Sequence, residues 1–423
     1  MIYYQKTSEI SILSETDLKE GLITTLEKVG SIKKVLALPP DFTRYHSFAG
    51  ILTCIADNYL GERLKDILPA IGTHTPMTEN EITTMYPGIS KAKFRIHNWR
   101  KDVVTIGEVP GEYLHEISDG KIDYSWPSQV NRLVVNGGHD LILSIGQVVP
   151  HEVVGMANYN KNIFVGTGGS EGINKSHFLG AVWGMEHMMG RADTPVRKVL
   201  NYASKHFAQN LPVIYVLTVV ASDANGIPQI HGLFIGDDEE CFLEACKLSL
   251  KLNFSLFEKP LKKVVVYLDP REYKSTWLGN KSIYRTRMAI ADGGELIVIA
   301  PGIKEFGEDK EIDRLIRKYG YADTDKVLEL TKNNEDLRSN LSAAAHLIHG
   351  SAEDRFSVTY CPGYLSKKEI ESVNFKFADI KKMSTIYNPE RLKDGFNKMD
   401  NGEEIFYVSN PALGLWATRE RFK

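Results

Sequence analysis

A rhythm in the chain constrains its fold most: short β-branched runs, each closed by Gly, Pro or Asp, alternate with stretches of helical periodicity. VLALPPD (Val35–Asp41), ILPAIGTH (Ile67–His74), HDLILSIG (His139–Gly146) and VIYVLTVV (Val213–Val220) read as strands buried on both faces. Helical patterns at Thr16–Val29 and Ser47–Asn58 fall between them. A second set follows the charged stretch FEKPLKK: KVVVYLDP (Lys263–Pro270), ELIVIAPG (Glu295–Gly302) and FSVTYCPG (Phe356–Gly363), with a helical pattern at Glu311–Tyr319. NGEEIFYVSNPALG reads as one more strand and loop. Such alternation predicts an α/β fold with mostly parallel sheets. The charged break predicts two α/β domains, residues 1–260 and 261–423, with the active-site cleft between them. A chain of 423 residues is long enough for both, since a domain needs about 150.

Composition narrows the function. With 51 Lys and Arg against 54 Asp and Glu, the chain has no general basic field for nucleic acid or an anionic membrane. No apolar run approaches the roughly 18 residues that span a bilayer, and MIYYQKTSEISIL lacks a basic-then-apolar leader, so a cytoplasmic protein is expected. The four cysteines are too few and too scattered for a disulfide framework. A small molecule is the expected partner. The oligomeric state is not legible.

In open α/β sheets, ligands sit outside the carboxyl ends of strands. PPDFTRYHS, GTHTPMTENE and VVPHEVVG follow three of the runs and bring Asp41, Arg44, His46, His74 and His151 to such places. In DFTR, Arg44 could clamp a carboxylate or phosphate, or Asp41 could cap the next helix with Arg44 paired to it. Thr73, His74 and Thr75 precede a helix whose amides could take a phosphate, or which is merely capped after a strand. GTGGSEG (Gly166–Gly172) fits the dinucleotide spacing poorly and suits a tight turn better. His97, in FRIHNWRKD, and His151 are each either a satisfied structural histidine or a proton carrier. No histidine, cysteine or carboxylate spacing suggests a metal site made by protein alone.

Taken in order, DFTR, GTHTPMT, IHNW and VVPH followed by a lysine resemble the lactate racemase family, which uses a nickel-pincer nucleotide. PHEVVGMANYNKNIFVG supplies His151, Gly155 and Lys161, and EGINKSHF supplies His177, at the family's intervals. The resemblance implies a cofactor bound covalently to Lys161, His177 as the protein ligand of nickel, and cofactor-building enzymes as partners. It makes His97 and His151 the catalytic bases. Asp41, Thr73, His74 and Thr75 become candidates to bind the cofactor, and Arg44 and Arg285 candidates to hold the substrate. Lys175 loses its claim to the attachment role. Two departures stand out: MANYNK replaces a Gly-rich lysine segment, and Arg285 and Met288 stand where lactate enzymes carry Gln and Lys. The implied activity is racemisation or epimerisation at C2 of a 2-hydroxy acid, with a sugar acid such as gluconate or mannonate preferred to lactate. A malate-like diacid is the alternative within that class, and a cofactor-binding carrier the alternative outside it.

Overall fold

The inner strands form here where apolar runs are unbroken, and Val35–Leu38 stops where proline withdraws an amide donor. The computed structural model describes every residue except Ala224, Asn225, Leu413 and Lys423. It is an α/β chain with mostly parallel sheets. It falls into two units, Met1–Ser176 with Gly190–Asn253, and His177–Met189 with Phe254–Lys423.

The first unit holds a six-stranded sheet in the order Ile2–Thr7, Pro228–Gly236, Val213–Ser222, Leu141–Gln147, Val35–Leu38, Leu64–Ile67. The last four run parallel, and the first two complete an antiparallel edge. The Glu15–Val29 helix starts from a capping box, in which the Ser14 side chain and the Asp17 amide, and the Asp17 side chain and the Ser14 amide, bond reciprocally. Leu18, Leu22 and Leu26 recur every fourth residue on one face of it. They share a core with Leu52 and Ile55 of the Ala49–Leu60 helix and with Val35, Leu143 and Val216 of the sheet.

One expected strand is displaced. The run from Ile67 to His74 contributes only Ile67 to a strand, which spans Leu64–Ile67 instead. Pro69 has no amide to donate, and the neighbouring strand has already ended before Pro39 and Pro40. Leu68 and Ala70 still donate to the carbonyls of Ala37 and Pro39 at 2.9 and 2.8 Å. The segment therefore runs beside its neighbour out to the strand ends.

The second unit holds a sheet in the order Lys376–Phe377, Ser357–Pro362, Ile290–Ala300, Leu261–Tyr267, Glu404–Val408, Gly395–Lys398. All its pairs are parallel except the last. Val265, Ile297, Ile299, Ile405 and Tyr407 form a core on it. Phe254–Phe257 pairs in parallel with Leu415–Thr418, which is why the chain enters this unit at Phe254 rather than near Leu261. Among the described residues no helix is long and apolar enough to cross a membrane.

Candidate functional site at the strand ends of the first sheet

The strands Leu141–Gln147, Val35–Leu38 and Leu64–Ile67 are neighbours, so their carboxyl ends open onto one stretch of the unit. Lys161 and the turn after it are tied there. Asn162 donates its amide to the Leu38 carbonyl at 2.9 Å and to the Ser144 hydroxyl at 3.0 Å. The Gly72 amide donates to the Gly166 carbonyl at 2.8 Å. A side chain at Gly166 would put its Cβ 2.8 Å from that of Ala70, so the approach needs glycine. Residues Asn162–Gly166 form a π turn, with the Thr167 amide donating to the Asn162 carbonyl at 3.1 Å. Single π turns are rare and collect at functional sites.

Asp41 caps the short 3-10 helix Phe42–Ser47, accepting from the Thr43 amide at 3.1 Å and from its hydroxyl. Its other oxygen accepts from His74 Nδ1 at 2.6 Å. Burial pushes the Asp41 carboxyl up, but His74, the Thr43 hydroxyl and Arg44 outweigh it and hold the group below its ordinary value. A carboxylate only accepts, so His74 carries a proton on Nδ1. In the neutral ring the Nε2 lone pair is then open, on a side chain 36% exposed. Asp41 is therefore both cap and histidine partner. Arg44, half-buried, makes no side-chain hydrogen bond to the described residues and stays available to an anion.

Lys161 has the same availability. Its ammonium takes no hydrogen bond or ion pair from the described residues, and burial, with Arg44 and Arg197 nearby, lowers its pKa to about 8 against the opposing pull of Glu152 and Asp41. Lys175, by contrast, donates to the Ser125 carbonyl and pairs with Glu171 at 2.7 Å.

His151 opens a two-residue hairpin, Pro150–His151 against Gly155–Met156. The Val153 amide donates to its Nδ1 at 3.1 Å, so a neutral ring carries its proton on Nε2. His74 and His151 thus have opposite proton arrangements. His97 differs from both. It is buried in the loop after Phe94, with Nε2–H donating to the Gly168 carbonyl at 3.0 Å and Nδ1 accepting from the Asn131 amide at 2.9 Å. Burial lowers its pKa. Its ring joins the Gly168 turn to the Trp126–Asn131 strand and leaves no nitrogen for a ligand.

Thr73 and Thr75 lie in the turn after the Leu64–Ile67 strand, not at a helix start. The helix begins later, at Glu79, behind a Thr78–Glu81 capping box that puts a carboxylate where a phosphate would go. The expectation of a phosphate at that terminus fails on this geometry. His46 is exposed and packs edge-on against Tyr45. His177, on the Ser170–Trp183 helix, belongs to the segment grouped with the second unit. Arg285 is fully buried in that unit and donates to the Gly414 carbonyl at 3.3 Å. Arg287 bonds Glu186 at 3.2 Å, while Asp292 pairs with Arg355 and Arg421. Sequence reasoning passed over Asn131 and Arg197, neither of which stands in a motif, and over Glu152, the neighbour of His151 in PHEVVG. Among the described residues, no group of three or more His, Cys, Asp or Glu side chains is placed to hold a metal alone.

Residues 21–189 match the family model of the lactate racemase N-terminal domain. A structural-genomics protein from Thermotoga maritima superposes with a TM-score of 0.82 at 27% identity, covering 98% of this chain and 100% of its own. The lactate racemase apoprotein from Thermoanaerobacterium thermosaccharolyticum superposes with a TM-score of 0.67 at 18% identity, over 96% and 89% of the two chains, a likeness of fold. No curated protein matches this chain in sequence.

Proposed function

The chain belongs to the lactate racemase family through the N-terminal domain at residues 21–189, and from that premise we propose that it inverts C2 of a 2-hydroxy acid. One observation carries the reading. The strand ends of one sheet collect a partly buried lysine and an arginine, neither with a side-chain partner among the described residues, and two histidines of opposite proton arrangement.

The C2–H of a 2-hydroxy acid is barely acidic beside a carboxylate, so removing it as a proton is unfavourable. Removing it as hydride while a base takes the hydroxyl proton gives a planar 2-keto acid. Return of hydride to the opposite face inverts the centre. The nickel-pincer nucleotide used in this family supplies the hydride acceptor when bound. Lys161 supports such a group with an amine available for covalent attachment, and by the family resemblance His177 would be the protein ligand of a metal whose other ligands come from the nucleotide.

The side chains divide the remaining work. Arg44 holds the substrate carboxylate, a bidentate match of planar groups. His74, with Asp41 fixing its tautomer, receives the hydroxyl proton at Nε2. His151 presents Nε2–H and returns a proton to the alkoxide as the second face is formed. In the reverse direction the two exchange parts. The base role expected of His97 passes to His74, and His97 instead steadies the Gly168 turn. The sequence departure from the lactate enzymes' Gln at Arg285 supports a longer, more polar acid such as a sugar acid as the substrate, with a malate-like diacid second. Enzymes that build the cofactor are the expected partners.

The test uses cofactor-loaded protein, a panel of 2-hydroxy acids and deuterium at C2. Inversion of at least one acid with the C2 deuterium retained in the product is expected. Solvent hydrogen at C2 in the product, or no inversion of any acid by loaded protein, contradicts the reading.

A further inference from the structure

Arg197 sits in the first turn of the Pro195–Phe207 helix, is only 1% exposed, and has no carboxylate within ion-pairing distance among the described residues. A buried cation without a counter-charge is destabilising unless hydrogen bonds compensate it. Here the acceptors all belong to one loop, the one that leads into Lys161. Arg197 donates to the Met156 carbonyl at 2.7 Å, to the Asn158 carbonyl at 3.3 Å and to the side-chain oxygen of Asn160. Its guanidinium lies 4.3 Å from the Phe242 ring centre.

That loop needs fastening. Asn158 and Tyr159 both adopt left-handed backbone, with φ of 69° and 59°. Such a conformation is uncommon without glycine and is strained for a residue as bulky as tyrosine. Tyr159 is held by ring contacts with Tyr215 at 4.4 Å and Phe242 at 5.2 Å. Asn160 donates to Asn201 at 2.7 Å and to Ser204 at 3.1 Å. With Asn162 bonded to the strand ends, both chain neighbours of Lys161 are fixed.

We propose that Arg197 is a positioning residue for Lys161, locking the left-handed turn that delivers the lysine to the strand ends and placing a second buried positive charge behind it. The inference rests on the reading of Lys161 as the attachment point. The charges acting on Lys161 are Arg44, Glu152, Arg197 and Asp41, two of each sign, on top of its burial. Without Arg197 one cation faces two carboxylates and the loop gains freedom. The amine then holds its proton to higher pH and is less nucleophilic near neutrality.

Competitive acetylation of the apoprotein with trace acetic anhydride from pH 6 to 11, read by peptide mass spectrometry, reports Lys161 separately from the exposed Lys65 and Lys367. In the wild type Lys161 should titrate near about 8. In Arg197→Met its acetylation at pH 7 should fall by about tenfold, one unit of pKa, with the two control lysines unchanged. Arg197→Lys keeps a cation but cannot bridge Met156, Asn158 and Asn160 together, and should lower Lys161 labelling about threefold. If Arg197→Met does not fold, the lysine variant decides alone. A folded Arg197→Lys protein whose Lys161 profile overlays the wild type overturns the positioning role. Absence of a cofactor adduct would instead strike at the function while leaving this result standing, so the two failures are distinguishable.

Discussion

His74 and His97 show how much a histidine's role depends on what its nitrogens meet. Both follow the Leu64–Ile67 strand, yet His74 keeps Nε2 open beside Asp41 while His97 spends both nitrogens on Asn131 and Gly168. His74→Ala should lower kcat by about two orders of magnitude or more, the usual worth of a positioned base, with little change in melting temperature. His97→Ala should chiefly destabilise, by about 1–3 kcal/mol for orphaned buried groups, and retain more turnover. Chemical denaturation alongside kinetics of loaded protein checks both, and the reverse ranking would return the base role to His97. Lys161 makes a second prediction at this scale. Its pKa is about 8 in the folded chain against an ordinary 10.5, so the folded state binds the proton less tightly than the unfolded one. Below pH 8 both states are protonated and the full destabilisation is present, and between 8 and 10.5 stability recovers as pH rises. Lys161→Met should therefore be more stable than wild type by about 2 kcal/mol at pH 7, allowing for partial exposure. The gap should close toward pH 10. Melts of both proteins across that range would show it, and a gap independent of pH would be inconsistent with a depressed lysine.

At the scale of elements, capping chemistry makes the clearest prediction. Ser14 and Asp17 satisfy each other's amides at the start of the Glu15–Val29 helix. Ser14→Ala should cost about 1 kcal/mol in urea unfolding, with activity intact, and an unchanged midpoint would mean the helix start is held by packing alone. Elements with strong local signals were legible in the chain: the runs at Val35, His139 and Val213 and the helical periods after Thr16 and Ser47 all appear close to their expected places. The Leu64–Ile67 strand was not, because LKDI alternates polar and apolar residues and the longer apolar run beside it drew the assignment. The helix after GTHTP was placed too early for a similar reason. Its cap is Thr78, and Pro76 lies outside it. The π turn and the left-handed pair at Asn158 and Tyr159 left no pattern at all, since they are imposed by Arg197, Asn162 and tertiary packing.

Over the whole molecule, two mostly parallel sheets were foreseeable from alternation, and the passage at Asn253–Phe254 was obscured because its strand partner lies far away at Leu415–Thr418. That segment 177–189 groups with the second unit was equally hidden, being a long-range contact of Glu186 with Arg287 and Arg355. The strand-end histidines and Arg44 were legible as candidates from their positions, and Lys161 only through the family resemblance, whereas the division of labour proposed for them rests on hydrogen-bond partners that the local sequence does not show. Lys161 is the proposed covalent seat of the cofactor. Intact-mass and peptide-mass analysis, with nickel quantification, of protein co-expressed with the cofactor-building enzymes tests it most directly. A single adduct mapped to Lys161 with stoichiometric nickel is expected, and neither in Lys161→Ala. An unmodified Lys161 in protein that inverts a 2-hydroxy acid, or an adduct on any other residue, would contradict it.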